Sequence, residues 1–432
     1  MNLKTTHIRR ASRRVFTGSA AGAVALVLTA CGAEEADGEA APDGAGAASG
    51  DTPGEEAPAD DVRVEVDEPE TRLVVATDSG AIVLDAATGS VLGTFETQSR
   101  PMLTVAGDGR HVFLAQNDSD LTQVLDAGSW ASEHGDHAHY YVTDPVLREL
   151  RIEGADPAHV VSHAGHTAVF HDGEGTATVF RDAGLRIDSL DTAVIDSGAP
   201  HHGVVVPEEG FAVVSIPPPP DADDTLPVGV TVVDEAGAEL ARFEDCPELH
   251  GETAADHVLA FGCADGVLLV EGEDATKVEY PSADGRIGSF TPGPATDHIV
   301  GDFTDTSLLA VDIGAATAHE ITLDQPYAAR ALDEHGDLVV LTVDGTLHVI
   351  DPADGDVKAA APGVLPAFEI PEDWQEPRPT LTVAGHTAYV ADPASSSLLP
   401  VDLESLTVGD GFALDAVPAG IVATGMADHV DH

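Results

Sequence analysis

Positive charge is what this chain lacks most: Lys and Arg together number 19 against 76 Asp and Glu, a formal net charge of -57. Five of those cations, Lys4, Arg9, Arg10, Arg13 and Arg14, fall in the first 31 residues, which contain no acid, so the remainder carries -62. Contact with phosphate backbones needs a basic surface, so nucleic acid is excluded as a partner. Diffuse acidity is a statement about solubility, and it attracts cations in general. Long apolar runs are also missing. The stretch 20–30 is too short to remain in a bilayer as a helix. No amphipathic helical pattern of ten or more residues occurs, and no nucleophile elbow, phosphate-binding glycine loop or zinc-protease helix motif is present. An enzyme is therefore not expected. The many Asp-Gly and Gly-Asp pairs read as turn chemistry, not as paired catalytic carboxylates.

What is there begins with processing signals. The arginines at 9, 10, 13 and 14 precede the short apolar stretch, which ends in Leu28-Thr29-Ala30-Cys31. A small-residue cleavage site followed by cysteine resembles the bacterial lipobox, so Cys31 is the expected lipidation site. Ser12-Arg13-Arg14-Val15-Phe16 looks like a twin-arginine export motif, with general secretion as the alternative. Residues 1–31 are thus read as an export signal. Residues 32–61 hold almost no large apolar side chain and read as a disordered acidic tether. The expected location is the outer face of the cell membrane, or the periplasm, with the membrane met only through the lipid anchor. Residues 62–432 form the folded part, which is expected to be monomeric.

Cysteine is scarce, three in all. With Cys31 lipidated, Cys246 and Cys263 remain, an even pair beside two strand-like runs. In an exported chain they suggest a disulfide; the competing reading is a pair of thiolate metal ligands.

About 370 residues exceed one ordinary core, and the pattern inside them is repetitive. A hydrophobic strand, a turn rich in Gly, Asp or Ser and a second strand recur, starting at Arg72, His111, Thr167, Gly210, His257, His298, Asp337 and Thr387. The spacing is mostly about 40 residues, the length of a four-stranded propeller blade. The fold class is all-β, a β-propeller with eight blades as first choice and seven as second. Either residues 62–66 or 420–424 are expected to supply the strand that closes the ring.

The first strand of each blade lines a propeller's channel, so equivalent repeat positions face one another. The segments before three consecutive units are Pro157-Ala-His, Pro200-His-His-Gly and Pro247-Glu-Leu-His-Gly-Glu. They place His159, His202 and His250 at nearly the same blade position. Three neutral imidazoles from neighbouring blades suit a zinc ion, with water, His201, Glu252 or an acidic loop residue as fourth ligand. The bland alternative is a set of histidines that hydrogen-bond strand ends. A second constellation, Glu133-His134-Gly-Asp136-His137-Ala-His139-Tyr-Tyr, sits in the longest repeat. It reads as a chelating insertion loop with ligands His134, Asp136, His137 and His139, or as a polar loop without partners. His163, His166 and His171 are read as structural, and the terminal Asp428-His429-Val-Asp-His432 as a disordered tail.

The run from His134 to Tyr141, Pro200-His-His-Gly, Cys246-Pro-Glu-Leu-His-Gly-Glu and Cys263-Ala-Asp-Gly-Val-Leu together resemble the AztD family of zinc metallochaperones. The resemblance covers residues 70 to 425. It implies a secreted β-propeller with a central zinc site and a mobile histidine-rich loop. It also implies a partner, the solute-binding protein of a zinc ABC transporter. The lipobox departs from a freely diffusing chaperone and would confine delivery to the membrane. The rivals are a metal-dependent propeller hydrolase or lactonase and a metal-free interaction propeller.

Overall fold

The computed structural model describes residues 63–426, apart from 135–136, 223–224, 256 and 294–296; at 133, 134 and 137 it describes the backbone alone. The segments expected to be an export signal and a tether, the expected lipidation site Cys31, Asp136 and the residues from 427 to 432 lie outside the described residues.

Of the nine antiparallel sheets among the described residues, eight follow one another along the chain as blades, and the starts read from the sequence fall at or next to the second strand of each. Blade 1 orders Gly420–Thr424, Arg72–Thr77, Gly80–Asp85 and Val91–Glu96. Blade 2 contains Met102–Val105, His111–Gln116, Leu121–Asp126 and Val146–Glu153; blade 3 runs from Pro157–His163 to Ala193–Asp196. Blades 4 and 5 open with Val205–Glu208 and Glu252–Ala255, and blades 7 and 8 with Tyr327–Leu332 and Thr380–Ala384. Blade 6 has three full strands from His298 to Thr322, and its inner position is taken by an irregular segment that bridges at Phe290 to Gly301. The first strands of neighbouring blades pack on one another around an axis.

Eight hydrophobic clusters hold the described ring together, each shared by two consecutive blades. Val83 and Leu114 lie between blades 1 and 2, Phe113 and Val169 between 2 and 3, and Phe170 and Val214 between 3 and 4. The series continues through Val232 with Phe261, Leu269 with Val311, Leu308 with Val340, and Leu341 with Val390. It ends with Leu398 of blade 8 against Leu84 and Ile421 of blade 1. Middle strands are therefore buried on both faces, as in Arg72–Thr77, where every residue is buried. Such strands read as runs of Val, Leu and Ile rather than as alternations. Outer strands alternate, as Val91–Glu96 does.

Closure comes from the C-terminus: Gly420–Thr424 pairs with Arg72–Thr77 over five residues. Val64–Val66, the other candidate, pairs instead with His137–Val142. That strand forms a hairpin with Ser129–His134, inserted between the third and fourth strands of blade 2. Cys246 and Cys263 form a disulfide with Cα atoms 4.9 Å apart, so the thiolate-ligand alternative falls.

Removing the closing strand should expose the blade 1 and blade 8 faces that Ile421 and Ala423 cover. Ile421→Ala is expected to cost about 2–4 kcal/mol in denaturant unfolding. Truncation after Ala419 is expected to abolish the single cooperative melting transition; an unchanged transition would mean that the ring closes by other means.

Candidate metal centre

Three turns at one end of blades 3, 4 and 5 bring the predicted histidines together. His159 lies in the first strand of blade 3, at a register shift between Pro157 and Val160. A bulge of this kind re-aims a side chain. His202 and His250 lie just before the first strands of blades 4 and 5. Their ring centroids are 4.8 Å apart for His159 and His202, 5.0 Å for His202 and His250, and 6.2 Å for His159 and His250.

Each ring is oriented by an acceptor on its Nδ1. His159 Nδ1 donates to Glu252 Oε1 at 3.0 Å, and His202 Nδ1 to Asp172 Oδ2 at 2.5 Å. His250 Nδ1 donates to the Gly288 carbonyl. That carbonyl is itself fixed, because Asp302 accepts from the backbone N–H groups of Gly288 and Ser289, each at 2.8 Å. Carboxylates and carbonyls only accept, so the proton of each neutral ring sits on Nδ1 and Nε2 carries a lone pair. His159 Nε2 and His202 Nε2 then face each other at 3.2 Å. Two lone pairs at that distance repel unless a proton or a cation lies between them. Nitrogens of a tetrahedral zinc site at roughly 2.0–2.1 Å from the metal stand roughly 3.3 Å apart, so the spacing suits a metal edge. Glu252 Oε2 is buried with no partner, a further unmet demand for positive charge beside the rings. The donor set fits a zinc-class ion. His250 stands a step back, and its ring must swing inward to join the other two.

The chain shapes this pocket with two devices. Gly251, between His250 and Glu252, has φ of 82°, and a Cβ there would lie 2.9 Å from the Gly288 carbonyl oxygen. Only glycine lets that carbonyl approach closely enough to receive His250. The Cys246–Cys263 disulfide ties the segment leading to His250 onto blade 5, where His250 N also donates to Gly262 O at 2.9 Å.

The electrostatics are uneven. Burial alone would lower the pKa of His159, but the charge and hydrogen bond of Glu252 outweigh it and hold the ring above its ordinary value. For Glu252 burial pushes upward, yet His159 keeps the carboxyl below its usual range. His250 is pushed down, chiefly by burial, so it stays neutral at lower pH than a free imidazole. Across the axis a wider cavity of about 850 Å³ is lined by Arg100, Arg330 and Trp374. The histidines therefore occupy one side only.

Other predicted residues are placed elsewhere. His201 is buried, its Nδ1 on Ala199 O and its Nε2 on Ser215 Oγ, both at 2.8 Å, so both ring nitrogens are already engaged. Glu252 serves His159 rather than standing free as a fourth ligand. The histidine-rich hairpin springs from the end of Leu121–Asp126 that pairs with His111, the opposite face from His159. There His139 Nδ1 meets Glu65 Oε1 at 2.7 Å. His163 meets Glu208, and His166 and His171 are hydrogen-bonded within blade 3. Asp172 carried no signal of its own in the sequence because it stands in one of nine Asp-Gly pairs, which read as ordinary turns. Gly288 and Asp302 carry no sequence signal at all.

No protein-family model matches the chain. It is 29% identical over 370 residues to the zinc chaperone AztD of Citrobacter koseri, spanning 81% of this chain and 86% of that one. A crystal structure of the Citrobacter koseri protein superposes with a TM-score of 0.78 at 28% identity, over 83% of this chain and 99% of that one. The apo form gives 0.75 at 26% identity, over 83% and 100%. The dihydro-heme d1 dehydrogenase NirN, at 12% identity and a TM-score of 0.57 over 85% of this chain and 81% of that one, shares the fold alone. The resemblance to AztD thus holds in sequence and in fold.

Two outcomes follow from the geometry. Protons compete with metal for His159, whose raised pKa makes affinity begin to fall above pH 6.5 as the pH drops. Glu252→Gln removes the cause, so the fall should begin at lower pH, with about ten- to hundredfold weaker binding at pH 8; zinc titrations between pH 5.5 and 8 that superpose for both proteins would refute this. Replacing Cys246 and Cys263 with Ser should cost about 3 kcal/mol of stability. It should also weaken metal binding, which calorimetry with and without the bond would register.

Proposed function

We propose that this chain is an extracytoplasmic zinc metallochaperone, held to the membrane through a lipid on Cys31. It takes zinc on His159, His202 and His250 and delivers it to the solute-binding protein of a zinc ABC transporter. The observation that carries the reading is the pair of Nε2 atoms at 3.2 Å, each turned toward the other by a carboxylate on its far side. Nothing in propeller stability calls for such a confrontation, and a divalent cation resolves it. The similarity to a protein named as a zinc chaperone supports cargo rather than catalysis. An open, partly exposed His202 gives an incoming ligand access, so the ion can pass by exchange without becoming a free aquated species. The side chain of His202 is 30% exposed against 19% for His159, which makes His202 the first ligand to be released.

The intact chain is expected to hold one tight zinc per molecule in competition with a chelator of known affinity. His159→Ala, His202→Ala and His250→Ala combined should remove that equivalent while the melting curve of the metal-free form stays within a few degrees. A tight equivalent that survives the triple substitution would end this assignment. Deleting 134–139 is expected to slow transfer to an acceptor more than it lowers affinity.

A further inference from the structure

The turns joining first and second strands lie on the propeller face opposite His159. Two of them, in blades 7 and 8, carry a group that the central site does not use. Glu334 and His335 stand in the turn from 333 to 337, and His386 in the turn between Ala384 and Thr387. Their ligand atoms all lie within 4.8 Å of one another, the one such group among the described residues. Glu334 Oε1 is 3.4 Å from His386 Nδ1 and 3.8 Å from His335 Nε2.

Those separations decide what the group is. They are long for hydrogen bonds to a carboxylate, which prefer roughly 2.7–2.9 Å. The shorter is close to the roughly 3.3 Å expected between neighbouring ligand atoms around a tetrahedral zinc-class ion, and the longer exceeds it by about half an ångström, which a small turn of the exposed His335 ring closes. The atoms stand as vertices do, close but not bonded to one another. Their placement does not depend on the rings. Asp333 accepts from the backbone N–H groups of His335 and Asp337, each at 2.8 Å, which fixes the first turn. Gly385, at φ of 52°, and a bond from Leu403 N to His386 O fix the second. Of the other acids of the first turn, Asp333 is engaged by those backbone groups and Asp337 by Lys358 at 2.6 Å, which leaves Glu334 as the carboxylate for the two rings. All three residues are exposed, so the remaining positions around an ion open to water.

We propose that Glu334, His335 and His386 form a second divalent-cation site of the zinc class, shallow and exchangeable, on the face opposite the three histidines. Two imidazoles and a carboxylate favour zinc, copper or nickel over calcium or magnesium. An open site with water in it binds more weakly than a closed one and loads faster, which suits capture from solution. The proposal stands whether or not the central histidines bind metal.

The test is a zinc titration of the intact chain followed through its histidine ring NMR signals, assigned with His335→Ala and His386→Ala. The signals of His335 and His386 should shift together at the same zinc increment, in the unaltered chain and in the His159/His202/His250 triple alanine variant alike. His386→Ala should weaken the response at His335 at least tenfold, and Glu334→Gln should weaken both. These positions are exposed, so the fold survives each change. If the two signals stay still while zinc saturates the protein, or if His335 responds equally without His386, the site does not exist. Shifts intact in the triple alanine variant while a tight equivalent survives there would instead count against the central centre alone.

Discussion

Every blade needs its neighbours, because a four-stranded sheet with two apolar faces cannot exist in water by itself. The eight shared clusters meet that need, and the strand from 420 to 424 makes the last of them possible. Side chains such as Phe113, Phe170 and Phe261 are wholly buried between sheets. Each removes apolar area from water that neither sheet alone could hide. The ring is a mutual obligation, and the inner edges of its strands inherit their positions from it.

That inheritance makes the metal centre possible. Three imidazoles approach one another because three consecutive blades present the same strand end to the axis. Their rings are then aimed by Glu252, Asp172 and Gly288, which come from blades 5, 3 and 6. Glu252 reaches across from blade 5 to the histidine of blade 3, so the orienting groups cross the same interfaces that hold the ring. The centre crowds acceptors together: the Nε2 atoms of His159 and His202 face each other, and Glu252 Oε2 is buried beside them with no hydrogen-bond partner.

Much of this was legible in the sequence, for physical reasons. Repeats are visible because a buried middle strand must be apolar on both faces and must end in a turn, as Arg72–Thr77 and Gly80–Asp85 do. The three histidines were legible because repeat equivalence becomes spatial convergence. Asp172 and Gly288 were not: one hides among ordinary turns, and the other acts through its backbone. Placement of the histidine-rich hairpin was also beyond reach. Which face an insertion leaves from depends on whether it interrupts the second or the third strand connection, and the sequence alone counts strands too loosely to tell. His335 and His386 passed unnoticed since neither has a ligand neighbour in its own blade except Glu334.

The strand that seals the ring lies about 350 residues downstream of the strand it pairs with. A ribosome releases residues in order, so blade 1 waits with one edge unpaired until residues 420–424 arrive. A chain that lacks those residues leaves that edge of blade 1 unpaired. Contacts between residues some 350 positions apart make such folding slow, and an unsealed edge is open to attack by proteases and to pairing with other chains. The three histidines of blades 3 to 5 lie far along the chain from both strands of that seam, yet they take their positions from the ring it closes.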